Sequence, residues 1–433
     1  MTVSPLEALW KIFKVYPLVT TDTRHIPAGS IFFALKGPNF DGNTFVMQAL
    51  KKGAILSVTD DPQWQDTPQI IYCEDVLTLL QQLAQHYRQQ FHIPVIAITG
   101  SNGKTTTKEL IHAVLSKKYK TSTTVGNLNN HIGIPLTLLR MPSDTEMAVI
   151  EMGANHQNEI AGYCTYTLPT HGLITNCGKA HLEGFGGVEG IKKGKGELFD
   201  FLTINKETMF ICKDLDYFLK MVEEKNIKSP IYYGKSGDVW LKGNLMQSEP
   251  FLKVVIEKEN APSFEVETQL VGDYNFYNVL AAVTIGRFFG VSDTSIKDAI
   301  ENYFPDNSRS QLVKMGSNTI ILDAYNANPS SMAAAINNFS KLTGDNKILI
   351  LGAMAELGEA TTEEHSTVAE LIKQFAWKEV ILVGSAFKPF SNSFLYFENV
   401  GEAAIWWQNA GIENAQILLK GSRSTAMEKV LNN

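Results

Sequence analysis

The stretch IAITGSNGKTTTKELI places two glycines, a lysine and three threonines directly after an apolar run. Gly100 and Gly103 permit a tight turn whose backbone N–H groups point inward at an anion. Lys104 can then reach the β- and γ-phosphates of a nucleotide, and the hydroxyl of Thr105 can bind Mg²⁺. The general phosphate loop, G-x-x-x-x-G-K-[ST], has a glycine where this chain has Ile98. An ordinary turn between a strand and a helix therefore stays open as the alternative interpretation.

An acidic residue, Glu151 in MAVIEMGAN, follows a second apolar run. In nucleotide-binding sheets an acid at the end of a neighbouring strand completes the Mg²⁺ shell, so we predict that Glu151 binds the metal. Taken alone, Glu151 would be interpreted as a solvated strand-end carboxylate. His181 and Glu183 lie in a later glycine-rich segment and could be close to the metal, although a single histidine in a loop is usually solvated.

Three segments with different patterns must position these residues. Residues 1–90 mix short apolar runs with one helical stretch, which predicts a small α/β unit. Residues 91–306 alternate strands and helices, which predicts a mostly parallel sheet, and residues 235–272 within them predict antiparallel strands in or beside it. Residues 307–433 repeat the strand-and-turn rhythm, which predicts a Rossmann-like C-terminal α/β domain. Ligands of such sheets bind at the carboxyl ends of the strands, where the polar residues stand.

Composition narrows the class of protein. The 433 residues are 44% hydrophobic and 19% charged, a globular balance that predicts several domains. The net charge of −7 comes without a basic block, so nucleic-acid binding has no support. No apolar run approaches the roughly 20 residues of a membrane span, and no signal peptide is evident, so we predict a cytoplasmic protein without a membrane partner. The four scattered cysteines argue against a zinc site or a disulfide framework.

The loop TGSNGKTTTKE resembles the ATP loop of the Mur ligase family, which is shorter than the general one, so that Ile98 is no defect. Further matches span essentially the whole chain: GNLNNHIGIPLTLL, IEMGANHQNEI, AHLEGFGG, KGKGELF, GDYNFYNVLAA, DAYNANPSSM, MAELGE and LLKGSRSTAMEKV. The resemblance implies an ATP-dependent amide ligase of peptidoglycan precursor synthesis. Its small-molecule substrates would be UDP-N-acetylmuramoyl-tripeptide and D-alanyl-D-alanine. The three segments would bind the UDP-muramoyl peptide, ATP and the dipeptide, in chain order.

The resemblance also implies roles for matching residues. ATP would be bound by Gly100, Ser101, Asn102, Gly103, Lys104, Thr105, Thr106, Asn275, Asn278, Arg309, Asp323 and Tyr325. The two other substrates would be bound by Thr23, Arg24, Asn127, Asn129, Asn130, Asn326, Asn328, Lys420, Ser422 and Arg423. Two Mg²⁺ ions would be held by Thr105, Glu151, His181 and Lys195. Catalysis would depend on Lys104, Lys195, His181 and Arg309.

Lys195 carries the most specific of these expectations. The resemblance implies that CO₂ carbamylates it, because an ammonium would repel Mg²⁺ whereas a carbamate offers the oxygen ligands that hard cations accept. By its residue type alone Lys195 is one more exposed lysine in a basic stretch, and Lys193 is the alternative alignment. The turn that contains Ala353 lacks an acid found in relatives, which puts an acidic role there in doubt.

Two rival functions remain open. A folylpolyglutamate synthase has the same family loop, but YNANP and KGSRS argue against it. A nucleotide-binding switch would hydrolyse ATP without making a bond and would not need the N-terminal segment. We further expect a monomer whose domains close on the substrates. The sequence identifies no general base for the amine, and it does not decide between lysine and diaminopimelate as the third peptide residue.

Overall fold

A computed structural model of the chain describes residues 4–257, 263–305 and 309–431. Three separate sheets with helices follow one another along the chain, besides one two-stranded ribbon, which confirms the predicted three-part α/β class. The predicted limit at residues 90 and 91 falls between a helix and a strand and stays a prediction, and the limit at 306 and 307 lies outside the described residues. In the part that is described, no helix is long and apolar enough to cross a membrane.

The first sheet has four parallel strands in the order β1-β2-β5-β6, beside the ribbon β3-β4. The strands are β1 (Val19–Thr20), β2 (Ile31–Phe33), β3 (Lys36–Gly37), β4 (Phe40–Asp41), β5 (Leu56–Thr59) and β6 (Ile70–Tyr72). The helices are α1 (Pro5–Phe13), α2 (Val46–Lys51) and α3 (Val76–Arg88). Asp75 starts α3 by accepting a hydrogen bond from the backbone of Thr78 at 2.6 Å. Because α3 packs on helices of both the first and the second unit, it joins them.

The second sheet has nine strands in the order β15-β14-β13-β12-β11-β10-β7-β9-β8. Its strands are β7 (Val95–Thr99), β8 (Thr121–Thr123), β9 (Met147–Glu151), β10 (His171–Ile174), β11 (Thr208–Cys212), β12 (Ile231–Gly234), β13 (Leu241–Gln247), β14 (Lys253–Ile256) and β15 (Phe264–Glu267). Its helices are α4 (Lys104–Leu115), α5 (Gly133–Leu139), α6 (Glu159–Thr167), α7 (Leu182–Phe185), α8 (Val188–Ile204), α9 (Asp216–Glu224), α10 (Phe276–Phe288) and α11 (Asp293–Glu301).

The register of this sheet decides where its polar residues meet. Strand β7 lies between β9 and β10, and all three are parallel, with Ile98 opposite Glu151 and Thr99 opposite Ile174. Their carboxyl ends therefore share one edge, as expected for ligand-binding parallel sheets. The strands β13 to β15 are antiparallel to one another and extend the sheet from β12, in agreement with the predicted alternation.

The third sheet has the order β16-β17-β21-β18-β19-β20, and only the pair β16-β17 is antiparallel. Its strands are β16 (Gln311–Met315), β17 (Asn318–Asp323), β18 (Lys347–Gly352), β19 (Glu379–Val383), β20 (Leu395–Phe397) and β21 (Gln416–Lys420). Its helices are α12 (Pro329–Lys341), α13 (Thr361–Ile372) and α14 (Val400–Asn409). Strands β18 and β21 are buried almost throughout, as in a sheet covered on both faces.

Candidate active site

The glycine-rich turn joins β7 to α4. Gly100 has φ 143° and Gly103 has φ 77°, which are backbone angles that favour glycine. Lys104, the first residue of α4, donates from Nζ to the carbonyl oxygens of Gly100 at 2.7 Å and Ser101 at 3.2 Å. Burial lowers the pKa of Lys104, and the nearby Glu151 opposes that shift. The turn thus presents a helix N-terminus and a partly buried lysine at one point, which suits a polyphosphate.

A hydroxyl and a carboxylate meet beside this turn. Thr105 Oγ1 donates to Glu151 Oε2 at 2.8 Å, and Asn129 Nδ2 donates to Glu151 Oε1 at 2.7 Å. The backbone N–H of Glu151 donates to Thr124 Oγ1 at 3.0 Å, so the buried acid is fixed at the end of β9. This pair of oxygen donors fits Mg²⁺. Among the described residues, no group of three or more histidine, cysteine, aspartate or glutamate side chains is placed to hold a metal ion.

Lys195 and Lys193 have opposite environments on α8. Lys195 is 1% exposed, donates from Nζ to the carbonyl oxygen of Ala154 at 3.0 Å, and lies 4.8 Å from the centre of the Phe185 ring. Burial, followed by the charge of Lys104, lowers the pKa of Lys195 to about 7. Lys193 is exposed. The fold therefore brings Lys195, and not Lys193, to the interior next to the site.

His181 contacts an acid that the sequence interpretation did not assign. The Nδ1 atom of His181 lies against the carboxylate of Glu356, which stands on the turn after β18, and this contact lowers the pKa of Glu356. Ala353 had put an acidic role for this turn in doubt, yet the turn presents the carboxylate of Glu356 three residues later. The motif MAELGE, already matched to the family, contained the signal.

These groups surround one cavity of about 930 Å³ between the second and third sheets. The predicted residues that line it are Ser101, Asn102, Gly103, Lys104, Thr106, Asn127, Asn129, Asn130, Glu151, His181, Asn275, Asn278, Arg309, Asp323, Tyr325, Asn326, Asn328, Lys420 and Arg423. Four more lie one layer behind, each bonded to a lining residue: Gly100, Thr105, Lys195 and Ser422.

Two predicted substrate residues lie elsewhere. Thr23 and Arg24 belong to the first unit and are not among the residues that line the cavity. The Arg24 side chain is exposed and is paired with Asp22 at 2.9 Å. A role for them in holding the UDP sugar stays a prediction.

The third sheet contributes cations and one aromatic ring. The Arg309 guanidinium lies 3.7 Å from the centre of the Tyr325 ring, and its buried Nε has no hydrogen-bond partner within the described ranges. Lys420 Nζ is paired with Asp323 Oδ2 at 2.6 Å. Arg423 is exposed and approaches the Tyr325 hydroxyl at 3.4 Å. Because Asp323 neutralises Lys420, the arginines are better placed to receive anionic ligands.

Amide side chains connect the phosphate turn to its surroundings. Asn278 accepts from Thr107 at 3.0 Å and donates to Asn275 at 2.9 Å. Asn278 therefore joins α10 to α4 beside Gly103, and Asn275, directly before α10, holds its amide in place. Asn176, after β10, receives the backbone N–H of Asn102 at 3.1 Å and donates to its carbonyl at 3.0 Å. The sequence interpretation gave Asn176 no role, although its place after an apolar strand was the available signal.

A phosphate turn, a buried hydroxyl–carboxylate pair and a second α/β unit that completes the cavity define an ATP-using enzyme of more than one domain. Family comparison identifies the class: the Mur ligase family catalytic domain matches residues 16–89, the Mur ligase middle domain 98–286, and the glutamate ligase domain 308–423. The chain belongs to the Mur ligase family.

Particular relatives narrow this further. The UDP-N-acetylmuramoyl-tripeptide–D-alanyl-D-alanine ligase of Escherichia coli (strain K12) is 36% identical, over 95% of this chain and 92% of its own length. The ligase of the same name from Bacillus subtilis (strain 168) is 34% identical, with the same coverage. A crystal structure of MurF from Acinetobacter baumannii superposes with a TM-score of 0.87 at 29% identity, over 95% of this chain and 92% of that one. The structure of MurF ligase from Thermotoga maritima in complex with ADP superposes with a TM-score of 0.84 at 25% identity, over 99% of this chain and 97% of that one.

Proposed function

We propose that this chain joins D-alanyl-D-alanine to UDP-N-acetylmuramoyl-tripeptide, with ATP converted to ADP and phosphate. The observation that carries the proposal is the cavity in which the phosphate turn of the second sheet faces Arg309 and Arg423 of the third. Such a cavity suits the triphosphate group of a nucleotide beside the carboxylate groups of two further substrates. Relatives of that name at over 30% identity, matched along nearly the whole chain, support the same assignment.

The reaction has two steps. The terminal carboxylate of the tripeptide attacks the γ-phosphorus, the bond from phosphorus to the bridging oxygen breaks, and ADP leaves with the electron pair. The amine of the dipeptide then attacks the acyl carbon of the acyl phosphate, loses a proton, and expels inorganic phosphate. In the first step Lys104 would hold the phosphates and Arg309 would stabilise charge on the transferred group. Arg423 would receive the carboxylate of the dipeptide.

Metal ligation is assigned to residues whose chemistry fits it. Thr105 and Glu151 would hold one Mg²⁺, and His181 with Lys195 would hold a second. Bound Mg²⁺ neutralises charge between the approaching anions. We propose that Lys195 serves as a carbamate, formed when its nitrogen bonds to the carbon of CO₂ and loses a proton. Its burial beside the cavity, with no carboxylate paired to it in the described part of the chain, supports this.

We propose that each of the three segments of the chain binds one substrate. Residues 1–90 would bind the UDP-muramoyl peptide, 91–306 ATP, and 307–433 the dipeptide. We propose that the chain works as a monomer, in line with the expectation from the sequence. Its nucleotide substrates are metabolites of the cytoplasm, where we propose that it acts.

A phosphate-release assay with purified protein tests the function. Phosphate should appear only when ATP, the UDP-muramoyl tripeptide and D-alanyl-D-alanine are all present. Tripeptides that contain lysine and diaminopimelate, compared in parallel, identify the third residue. Release that depends on folate and glutamate would replace the proposal with a folylpolyglutamate synthase, and release from ATP alone would indicate a nucleotide switch.

A further inference from the structure

Two residues with left-handed backbone face each other where the second and third units meet. His181, directly before α7, has φ 53°, and Glu356, in the turn after β18, has φ 61°. Residues other than glycine keep such angles only where their surroundings hold them, and they are enriched at functional sites. Both line the cavity, one from each unit. Their side chains meet, with Nδ1 of the imidazole against the carboxylate. The contact lies outside ideal hydrogen-bond geometry, but this buried nitrogen has no other hydrogen-bond partner among the described residues.

The turn that carries Glu356 is fixed from behind by a buried histidine. His365 is fully buried and accepts the backbone N–H of Met354 at Nε2, 3.0 Å away. Its Nδ1, which must then carry the proton, donates to the carbonyl oxygen of Thr361 at 2.7 Å. The backbone N–H of Ala353 also donates to Val383 at 2.8 Å. The carboxylate of Glu356 is thus presented by a turn with few alternative conformations.

The two units also touch through backbone at this point. The N–H of Glu183 lies 3.4 Å from the carbonyl oxygen of Glu356, and the side chain of Glu183 packs against Gly358. Glu356 therefore reaches His181 only while the third unit is docked on the second. Glu359, in the short 3₁₀ helix that follows this turn, is exposed, and within the described part of the chain the ion pair of His181 is with Glu356.

We propose that Glu356 is a positioning residue for His181. A carboxylate against Nδ1 holds the proton on that nitrogen and fixes the ring, so that Nε2 keeps its lone pair for a group in the cavity. Because the carboxylate belongs to the third unit, the ring is set when that unit docks. The inference rests on the proposed function for what the histidine does, but the contact between the two side chains belongs to the free protein and can be tested there.

The tautomer of His181 can be read without turnover. Protein labelled with ¹⁵N-histidine is compared at mildly alkaline pH as wild type, Glu356→Gln and Glu359→Gln, with His181→Asn to assign the signal. We expect His181 to be protonated at Nδ1 in wild type and in Glu359→Gln. In Glu356→Gln we expect a shift towards the Nε2-protonated form that free imidazole prefers. An identical His181 spectrum in wild type and Glu356→Gln would overturn the proposal.

Steady-state kinetics provide a second test of the role of Glu356. Loss of a residue that orients a ligand typically costs 10–100-fold, so kcat of Glu356→Gln should fall by at least about tenfold, with Michaelis constants within about twofold. If Glu356→Gln folds poorly, Glu356→Asn removes the same carboxylate with a residue that tolerates left-handed backbone. Unchanged kcat in a folded variant, or an equal loss in Glu359→Gln, would overturn the role. Failure of the wild type to release phosphate would instead contradict the proposed function and leave the tautomer result intact.

Discussion

Asn328 donates from its side-chain amide to the side-chain oxygen of Asn102 at 2.7 Å. Asn102 belongs to the phosphate turn of the second unit, and Asn328 starts α12 in the third by accepting the backbone N–H of Ser331 at 2.9 Å. A second link runs from the backbone of Lys179 to Ser330 at 2.7 Å. The third unit therefore recognises the turn that is proposed to hold ATP, and docking and nucleotide binding should be coupled.

This coupling can be tested at Asn328. Asn328→Ser keeps a capping oxygen for α12 but removes the amide donor. One lost hydrogen bond of about 1 kcal/mol should lower kcat/KM about fivefold. Small-angle scattering should show that wild type becomes more compact with an ATP analogue and both substrates, and that the variant does so less completely. Equal compactness of the free and the complexed wild type would contradict domain closure.

Lys195 and Lys193 form a matched pair for the carbamate. With ¹³C-bicarbonate, wild type and Lys193→Ala should show one carbamate carbon signal, and Lys195→Ala should show none. Lys195→Ala should also lose at least about tenfold in kcat, because a ligand of the second metal is missing. Full activity of Lys195→Ala, or loss of the signal in Lys193→Ala instead, would refute the assignment.

The hydroxyl of Thr105 is predicted to bind Mg²⁺ beside Glu151. Thr105→Val preserves the shape but removes the oxygen, and kcat should fall roughly 10–100-fold with a higher Mg²⁺ requirement. Thr105→Ser retains the hydroxyl and serves as the control. Phosphate release measured over a range of Mg²⁺ concentrations gives both kcat and the Mg²⁺ requirement. Equal curves for the valine and serine variants would show that the hydroxyl oxygen of residue 105 is not needed.

Arg423 is predicted to receive the carboxylate of the dipeptide. A charge-assisted hydrogen bond contributes about 1.5–3 kcal/mol, so Arg423→Met should raise KM for D-alanyl-D-alanine roughly 10–100-fold and leave KM for ATP unchanged. Arg140→Met removes a positive charge from an exposed arginine outside the cavity and should match wild type. An equal rise of the Michaelis constants for ATP and for the dipeptide in Arg423→Met would contradict this role. It would show that Arg423 maintains the structure of the site and does not bind the dipeptide carboxylate.

His171 should make stability depend on pH. It packs among Phe210, Phe288 and Phe289, and burial lowers its pKa to about 4 from 6.5. Below pH 6.5, His171 binds a proton in the unfolded chain but stays neutral in the folded chain. Its contribution to the free energy of unfolding is therefore complete above pH 6.5 and is lost as the pH falls towards 4. Across this window the free energy of unfolding falls by on the order of 3 kcal/mol. Urea unfolding of His171→Phe should show a shallower decline across this window; a decline equal to that of wild type would contradict the assignment.

Local patterns were enough for the elements and for several contacts near the phosphate turn. The apolar run before Gly100 is buried strand β7, and α4 begins at Lys104 as the turn chemistry required. The pairing of Thr105 with Glu151 also follows, since adjacent parallel strands bring their carboxyl ends together. By contrast, burial of Lys195 beside exposed Lys193 could not be predicted from spacing, because it depends on which face of α8 packs against the sheet.

The sequence by itself determined the α/β class, the order of the three sheets, the phosphate turn and Glu151, because strand periodicity, glycine turns and strand-end polar residues are local signals. Most of the other residues around the cavity were identified only through the family resemblance. Only the tertiary structure decided which residues meet across the units. Glu356 against His181 and Asn328 against Asn102 join the second and third units, and Asp323 paired with Lys420 joins two neighbouring strands of the third sheet. The partners lie about 100 to over 200 positions apart in the chain. Such contacts arise when buried faces pack, and no local pattern along the chain encodes them.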